Sequence, residues 1–309
     1  MRVTAIAGGT GAAKLLRGFA ACLSSDDLTV IGNTGDDSEI WGLHVSPDLD
    51  TVTYALAGRL DAERGWGRAH ESFRCLEAMA ELGAETWFNL GDRDLATHVF
   101  RTEALRRGAR LSEVTAEIAR RLGVAARILP MSDEPVRTRV QTPDGWLTFQ
   151  EYFVREKALV EALDVAYEGA QQARPAPGVE EAIASADLLV VCPSNPVTSI
   201  GPVLAVPGII EALGRAPATV VGVSPIVGGA PVSGPAAALM RARGLPVSPA
   251  GLARAYMPWL DVLLVDERDR TSAPEVRQQG VSPIVADIVM TDRAREVALA
   301  RRVLEAARP

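Results

Sequence analysis

Several short loops rich in glycine, proline and small polar residues carry the groups that could do chemistry. The first, Gly8-Gly9-Thr10-Gly11 with Lys14 after it, follows an apolar run and opens a helical pattern. Glycines at such a turn let backbone N–H groups approach a phosphate, and the helix N-terminus favours its charge. The loop is neither a dinucleotide G-x-G-x-x-G, because Lys14 holds the third glycine position, nor a P-loop. It predicts a phosphate site, with a tight strand-to-helix turn as the alternative.

Two carboxylates stand two residues apart, at Asp48 and Asp50, just before an apolar helical run. At least one of them is expected to cap that helix. The other is then free to bind Mg²⁺, which needs only one or two protein carboxylates, or to take a hydroxyl proton. The preceding loop, residues 33–38, adds amide, hydroxyl and carboxylate groups, although a solvated turn has the same composition.

A third loop places Arg93 between Asp92 and Asp94, with His98 and Arg101 soon after it. An arginine fixed by neighbouring acids can hold a phosphate or carboxylate through two hydrogen bonds. The alternative is a surface ion-pair cluster. We expect His98 to have a structural role or to support a site residue without binding the ligand itself, because the chain has three histidines in total and no metal-binding histidine pair.

Rigid polar loops also follow two later apolar runs. One contains Met131 and Ser132, and the other contains Ser194 and Asn195, with Thr198 and Ser199 close behind. Amide and hydroxyl groups of this second loop could bind a purine edge and phosphate oxygens. Proline-rich loops of this kind serve a binding site and plain stability equally well.

The elements that must position these loops are predicted by short apolar runs at residues 3–7, 28–31, 188–192, 219–223 and 262–265. Alternation of such runs with helical patterns indicates an α/β fold, a Rossmann-like parallel sheet with crossover helices. Ligands bind at the carboxyl ends of strands in such sheets, so the loops should converge on one crevice.

We expect one domain over residues 1–309 with two additions to the sheet. Apolar spacing predicts a helical cap at about 61–125. Alternation between residues 136 and 149 predicts a β-hairpin, which begins an insertion at about 136–178. Its last part, residues 171–178, is rich in Gln, Ala and Pro and is interpreted as a mobile loop or the tip of a flap.

Composition restricts the partners. A net charge of −7 gives no positive field for a nucleic-acid partner. Three widely separated cysteines suggest neither a disulfide framework nor zinc, and a cytoplasmic location fits best. The uncharged stretch 216–240 is broken by prolines and glycines, so we expect no membrane span.

Taken in order, the loops resemble the CofD/FbiA family of 2-phospho-L-lactate transferases over most of the chain. The resemblance is carried by Gly8-Gly9-Thr10-Gly11, Asn33-Thr34, Ser46-Pro47-Asp48-Leu49-Asp50-Thr51-Val52, Leu90-Gly91-Asp92-Arg93-Asp94, Leu129-Pro130-Met131-Ser132-Asp133, Pro193-Ser194-Asn195-Pro196 and Pro231-Val232-Ser233-Gly234-Pro235. No single segment is decisive, but their joint order and spacing are highly specific.

The resemblance implies a homodimer that binds Mg²⁺, the deazaflavin alcohol Fo and a guanosine diphosphate-linked three-carbon acid. The terminal ribityl hydroxyl of Fo attacks the phosphorus bearing the acid, GMP leaves, and coenzyme F-420-0 is formed. The acid is phospholactate, phosphoenolpyruvate or 3-phosphoglycerate, and the sequence does not choose among them.

Roles in the family are carried over residue by residue. Asp50 is the first choice and Asp48 the second for metal ligand or general base, and Arg93 is expected to face Fo or the charge of the transition state. The implied substrate-binding residues are Gly8, Gly9, Thr10, Gly11 and Lys14 at the diphosphate, Ser194, Asn195, Thr198 and Ser199 at the guanosine, and Asn33, Thr34, Asp92, Met131 and Ser132.

Two other classes of protein stay open at this point. A non-catalytic regulator of the YvcK type resembles the family in its glycine loop and binds a sugar nucleotide. An NAD(P)-dependent oxidoreductase is the general Rossmann alternative, disfavoured by the missing third glycine.

Overall fold

The apolar runs found in the sequence become the strands of a central sheet. The computed structural model describes residues 1–307, so the last two residues of the expected domain lie outside the described part. The strands are β1 (Val3–Ala7), β2 (Leu28–Gly32), β3 (Ser38–Ile40), β4 (Leu43–Val45), β5 (Arg127–Pro130), β6 (Arg137–Thr142), β7 (Gly145–Thr148), β8 (Asp164–Glu168), β9 (Leu188–Val191), β10 (Thr219–Val223), β11 (Ile226–Val227), β12 (Ala230–Pro231), β13 (Val262–Asp266) and β14 (Ser282–Ala286).

Seven of these strands form one parallel sheet in the order β14-β13-β10-β9-β1-β2-β5. Strand β1 pairs with β2 on one side and with β9 on the other, so that Ala5 lies opposite both Val30 and Val190. The strand order reverses between β1 and β9, which is where open α/β sheets bind their ligands. The predicted Rossmann-like α/β fold is confirmed, and the five predicted strands agree with the structure to within one residue at each end.

Helices cover both faces of this sheet. The α-helices are α1 (Gly9–Ala20), α2 (Pro47–Leu56), α3 (Arg74–Glu81), α4 (Asp92–Arg106), α5 (Leu111–Arg121), α6 (Val179–Ala184), α7 (Gly201–Ala205), α8 (Ile209–Arg215), α9 (Ala236–Ala242), α10 (Pro249–Ala255), α11 (Ala273–Gln278) and α12 (Arg293–Ala306). Short 3₁₀ segments lie at Ser25–Asp27, Ala170–Gln172 and Glu267–Ser272, and π-helical turns at Glu151–Arg155 and Pro196–Ile200. Within residues 1–307 no individual helix has the length and apolar character to cross a membrane, and only the bent pair Pro196–Ala205 and Ile209–Arg215 has them when its two parts are added together.

Successive residues of each strand serve opposite faces of the sheet, as the period of two requires. Ile6 and Val191 belong to the core beneath helices α6 to α11, whereas Ala5 and Val190 belong to the core beneath α1, α2, α5 and α12. The sheet is therefore buried on both sides. This explains why its strands are continuous apolar runs in the sequence.

The region predicted as a helical cap divides into two parts. Helix α5 packs against β5 and thus belongs to the main helical layer. Helices α3 and α4, with their loops, form the cap over the β3–β4 hairpin, around a small core that contains Leu90. Helix α3 buries none of its own side chains, so its apolar spacing predicted a helix correctly but not a buried face.

The predicted hairpin is confirmed as β6 and β7, and β8 joins it in a three-stranded antiparallel sheet of order β7-β6-β8. The interpretation of residues 171–178 as a mobile loop or flap tip is wrong. Ala173 and Ala176 are buried in the main core, and the Ala176 N–H donates to the Met131 carbonyl at 3.1 Å. Small side chains at these positions permit close packing against the core. Because small residues are also common in loops, the sequence of this segment resembles that of a loop.

Candidate functional site

A cavity of about 430 Å³ opens between the carboxyl ends of β1 and β2 and the cap. Its lining divides by chemistry into an aromatic part and an acidic part. The aromatic side chains are Tyr54, Trp66, Phe88, Phe149 and Phe153, and the ionisable ones are Asp36, Asp48, Asp50, Asp94 and His98. No lysine or arginine is among the lining residues in the described part of the chain. An aromatic wall beside unbalanced carboxylates suits a flat ligand and a cation.

The glycine loop lies against the carboxylate of Asp48. The side-chain amide of Asn33 donates to Asp48 Oδ2 at 2.8 Å and to the Thr198 carbonyl at 3.1 Å. A Cβ atom on Gly8 would collide with Asp48 Oδ2 and would lie 2.6 Å from Ser199 Cβ. Strands β1, β2 and β9 thus bring Gly8, Asn33, Thr198 and Ser199 together, as the sequence predicted for one crevice. The start of helix α2 adds Asp48 to this group.

Two carboxylates of this cluster have raised pKa values. Burial is the main cause for Asp36, whose pKa lies well above its ordinary value, and the charges of Asp48 and Asp37 raise it further. Burial also raises the pKa of Asp48, to about 6, although hydrogen bonds from Asn33 and the Gly9 backbone oppose the change. Asp36 Oδ1 is buried without a hydrogen-bond partner. Buried, crowded and partly unpaired carboxylates are stabilised by a bound cation.

Asp50 is in a different environment from Asp48, although both begin helix α2. Both oxygens of Asp50 are bonded by the guanidinium of Arg101: Nη1 donates to Oδ2 at 3.1 Å, and Nη2 donates to Oδ1. Arg101 is 1% exposed. The first turn of helix α2 therefore places the Asp48 carboxylate against the glycine loop and the Asp50 carboxylate in a buried ion pair with Arg101.

Helix α4 contributes Asp94 and His98 to the same wall, and it places Arg101 behind them at helical spacing. The Tyr54 hydroxyl donates to Asp94 Oδ1 at 2.7 Å, and His98 Nε2 lies 3.4 Å from that oxygen. Burial favours the neutral form of Asp94, but His98, Tyr54 and Arg101 outweigh it and lower its pKa. Asp50, Asp94 and His98 also lie close enough together to be ligands of one metal ion, although Arg101 already supplies positive charge there.

Residues predicted at the diphosphate and guanosine take several structural roles. Lys14 points away from the cavity and donates to the Met290 carbonyl at 3.1 Å, whereas Thr10 lines the cavity and donates to the Gly65 carbonyl at 3.0 Å. The Ser194 hydroxyl donates to the Gly8 carbonyl at 2.7 Å. Asn195 Oδ1 caps the π-helical turn by accepting the Val197 N–H at 2.9 Å. Ser194 and Asn195 thus fix the conformation of the loop after β9, where the strand order of the sheet reverses.

The Asp92-Arg93 pair lies at the edge of the cap, outside the cavity lining. Asp92 accepts hydrogen bonds from Ser72 Oγ at 2.6 Å and from the Cys75 N–H at 3.0 Å, and these contacts hold the start of α3. Its pKa is lowered by the same contacts. Arg93 is exposed, and its guanidinium donates to the Ala69 carbonyl at 3.4 Å. A contact of Arg93 or Asp92 with substrate stays a prediction.

Three other predicted residues are buried behind the cavity. Met131 packs in the main core, Ser132 donates to Glu134 Oε2 at 2.8 Å, and Thr34 is 1% exposed. Gly11 lies where a Cβ atom would collide with the Pro193 carbonyl. These residues support the loops that line the cavity, and none of them is part of the lining in the described residues.

The sequence analysis missed most of the cavity wall. The five aromatic residues come from helix α2, two loops of the cap and the segment after β7, and no common spacing relates all five of them. Asp94, His98 and Arg101 had a detectable signal, because residues at i, i+4 and i+7 share one face of a helix. From the sequence, His98 was expected to be structural or to support a site residue, and Arg101 was treated as a charge near the Asp92-Arg93-Asp94 loop.

The sheet order and the acidic cavity at its carboxyl edge define a Rossmann-like α/β protein with a candidate ligand site. The family model of 2-phospho-L-lactate transferase CofD matches residues 3–305, and the chain belongs to the CofD family. It is a transferase of that family, so the transferase prediction is confirmed over the regulator and the oxidoreductase.

Similar proteins carry two different names within this family. A phosphoenolpyruvate transferase of Streptomyces griseus is 48% identical over 313 residues, which cover 99% of this chain and 98% of that protein. A 2-phospho-L-lactate transferase of Methanosarcina acetivorans is 44% identical over 295 residues, which cover 95% of each chain. A UPF0052-family protein of Bacillus halodurans has a similar crystal structure, with a TM-score of 0.70 at 19% identity over 98% of both chains. The last similarity shows the fold alone.

Proposed function

We propose that the protein joins a phosphorylated three-carbon acid to the terminal ribityl hydroxyl of Fo, with GMP as the leaving group. The observation that carries this proposal is one cavity that combines an aromatic wall with four carboxylates and, within residues 1–307, no lining arginine or lysine. A tricyclic deazaflavin offers a flat surface to aromatic side chains. The names of the S. griseus and M. acetivorans relatives support a three-carbon acid as the transferred group.

The aromatic part of the cavity suits the ring system of Fo. Phe149 and Phe153 stack on each other with centroids 5.5 Å apart and planes 9° apart, and both line the cavity. Trp66 and Phe88 are further lining residues, and both come from loops of the cap. The volume of about 430 Å³ lies within the usual range for sites that bind small molecules.

The reaction is an in-line displacement at phosphorus. A bond forms between the ribityl oxygen and the phosphorus that bears the acid, while the bond from that phosphorus to the bridging oxygen of the GMP moiety breaks. The hydroxyl proton passes to a carboxylate, for which Asp50 is the first candidate and Asp48 the second. Positioning and charge neutralisation supply most of the rate in such reactions. The proposed chemistry therefore needs little beyond a rigid, acidic cavity.

The residues present fit Mg²⁺. Four carboxylates line the cavity, no arginine or lysine of the described residues lines it, and a diphosphate would add further negative charge. The buried, unpartnered Oδ1 of Asp36 and the raised pKa of Asp48 indicate where positive charge is missing. We assign Asp48, with Asp36 beside it, as the main ligands. Asp50 is a weaker candidate, because Arg101 bonds both of its oxygens. Bound there, Mg²⁺ neutralises the diphosphate and favours departure of GMP.

We also propose a cytoplasmic homodimer. The three cysteines are free, and Cys192 is buried, which agrees with a reducing compartment. The homodimer rests on the family resemblance. Sedimentation of the purified protein measures it directly.

The test of the proposed function is a reaction of the purified protein with Fo, Mg²⁺ and each of the three guanosine-linked acids in turn. Mass spectrometry should detect the F-420-0-type product and GMP from at least one donor, and Asp50→Ala should lose the product. Asp144→Ala, in an exposed hairpin turn, is the matched control and should keep it. Absence of product from every donor, with GDP still bound, would contradict the proposal.

A further inference from the structure

Arg101 is the buried arginine of the cap. In the described part of the chain no other lysine or arginine is buried, and Arg101 heads the fully buried side chains by volume. A buried guanidinium carries a large desolvation cost unless it is paired and hydrogen-bonded. Its partners should therefore explain its position.

The main partner of Arg101, the carboxylate of Asp50, belongs to a different helix. Arg101 lies on α4 of the cap, whereas Asp50 lies on α2, which packs against the central sheet. The guanidinium bonds both oxygens of Asp50, and its Nη1 also lies 3.4 Å from the His44 carbonyl. His98 Nδ1 lies 3.3 Å from the same nitrogen. A bidentate pair of this kind fixes the plane of a carboxylate as well as its distance.

We propose that Arg101 is a positioning residue of the transfer reaction, which acts by holding the Asp50 carboxylate at the cavity wall for the acceptor hydroxyl. Arg101 itself does not line the cavity, while Asp50 does. The inference rests on the proposed function. It adds that the cap contributes to the reaction through a residue that never touches the substrate.

The same ion pair divides the acidic wall into two halves. Asp50 and Asp94 are compensated by Arg101 and by the Tyr54 hydroxyl. Asp36 and Asp48 have only neutral hydrogen-bond partners and neighbouring carboxylates. Positive charge from solution is therefore directed to the Asp36–Asp48 half. Asp50, whose charge is already balanced by Arg101, orients the acceptor hydroxyl of Fo.

The test compares Arg101→Lys and Arg101→Met with the matched control Arg107→Met. Arg107 follows the same helix but is exposed, and it pairs with Glu103. A lysine keeps the charge but cannot bond both oxygens in one plane. We measure kcat, KM for Fo, the affinity for GDP by calorimetry, and the thermal unfolding midpoint of each variant.

A misplaced reacting group costs on the order of 100-fold in rate. We therefore expect Arg101→Met to lose about 100-fold in kcat and Arg101→Lys roughly 10-fold, with GDP affinity within about threefold of the wild type. Arg107→Met should match the wild type throughout. If Arg101→Met does not fold, Arg101→Lys alone decides the matter by the same two readouts.

Two results would overturn the positioning role while leaving the proposed function intact. One is wild-type kcat in Arg101→Lys, and the other is an equal loss of kcat and GDP affinity, which indicates general damage to the fold. Failure of the wild type and of Arg107→Met to form product from any donor is a separate outcome. That outcome contradicts the proposed function and the positioning role together.

Discussion

The carboxylate of Asp48 occupies the space that a side chain on Gly8 would need. A Cβ atom at position 8 would collide with Asp48 Oδ2 and approach Ser199 Cβ to 2.6 Å. The absence of a side chain at Gly8 thus lets α2 and the loop after β9 meet at the start of α1. Gly8 is therefore needed so that the Asp48 carboxylate can come close to the backbone, in addition to any phosphate that the loop binds.

Gly8→Ala should therefore damage the site more than the fold. We expect a loss of kcat of about 100-fold, because Asp48 must move by the order of 1 Å. Steady-state kinetics with Fo and the active donor measure this loss. Gly214→Ala is the control, since a Cβ atom there meets nothing within 4 Å and helix α8 accepts alanine. Full activity of Gly8→Ala would contradict the assigned role of Asp48.

Neutralising Asp36 should weaken the binding of Mg²⁺. Asp36→Asn keeps the shape of the side chain but removes one of the crowded charges beside Asp48. We expect the Mg²⁺ concentration at half-maximal rate to rise by about tenfold or more, since a hard cation prefers charged oxygen ligands. Activity should vanish in EDTA and return with Mg²⁺. Asp144→Asn is the charge-matched control, and an unchanged Mg²⁺ requirement in Asp36→Asn would exclude Asp36 as a ligand.

The raised pKa of Asp48 makes stability depend on pH in a predictable direction. Its pKa is about 6 in the folded protein, compared with about 4 in an unfolded chain. The folded state binds the extra proton, so this contribution to the free energy of unfolding is complete below pH 4 and is lost as the pH rises through 6.

Asp48→Asn should remove that dependence in metal-free protein. Relative to the wild type, the variant should gain up to about 3 kcal/mol of unfolding free energy between pH 4 and pH 7, which corresponds to about two pKa units. Urea unfolding in EDTA at both pH values measures the difference. Asp144→Asn, which removes an exposed charge, should show no such gain. A variant less stable than the wild type at pH 7 would mean that the hydrogen bonds of Asp48 outweigh its burial.

The aromatic wall predicts a selective effect on the acceptor. Phe153→Ala removes one member of the stacked pair with Phe149. We expect KM for Fo to rise about tenfold, equivalent to about 1.4 kcal/mol, with KM for the donor unchanged. Trp146→Ala is the control, because Trp146 is an exposed aromatic residue of β7 outside the cavity lining. A rise in KM for the donor instead would assign this wall to the nucleotide.

Much of the fold was predictable because both faces of the sheet are buried. Val3–Ala7 and Thr219–Val223 contain only apolar residues, threonine and glycine, and their bounds in the structure match those in the sequence. The 171–178 segment was misjudged because Ala and Pro are common both in loops and in close packing. The exposed face of α3 could not be foreseen, since periodicity identifies a helix without showing what covers it.

The site was predicted in part for a related reason. Gly8 and Asn33 meet because they follow neighbouring strands of one sheet, which is a rule of topology. Asp48 reaches them from helix α2, which follows the β3–β4 hairpin. Lys14 was expected beside them, but its position on α1 directs it to Met290. The pairing of Asp50 with Arg101 depends on how the cap packs against α2. The two residues are far apart in the sequence, so no local sequence pattern could predict this pairing.

Because neighbouring strands β1 and β9 are far apart in the sequence, the two sides of the crevice are synthesised at different times. The hydrogen bond between Ser194 and Gly8 joins residues 186 positions apart, and that between Asn33 and Thr198 joins residues 165 apart. At about 5–20 residues per second, a ribosome needs roughly 10–40 s to deliver the second half of the crevice after the first. During this interval β1 is an unpaired edge in the nascent chain, open to strands of other molecules. The topology that creates the crevice therefore also leaves one edge of β1 without its partner strand until β9 has been synthesised.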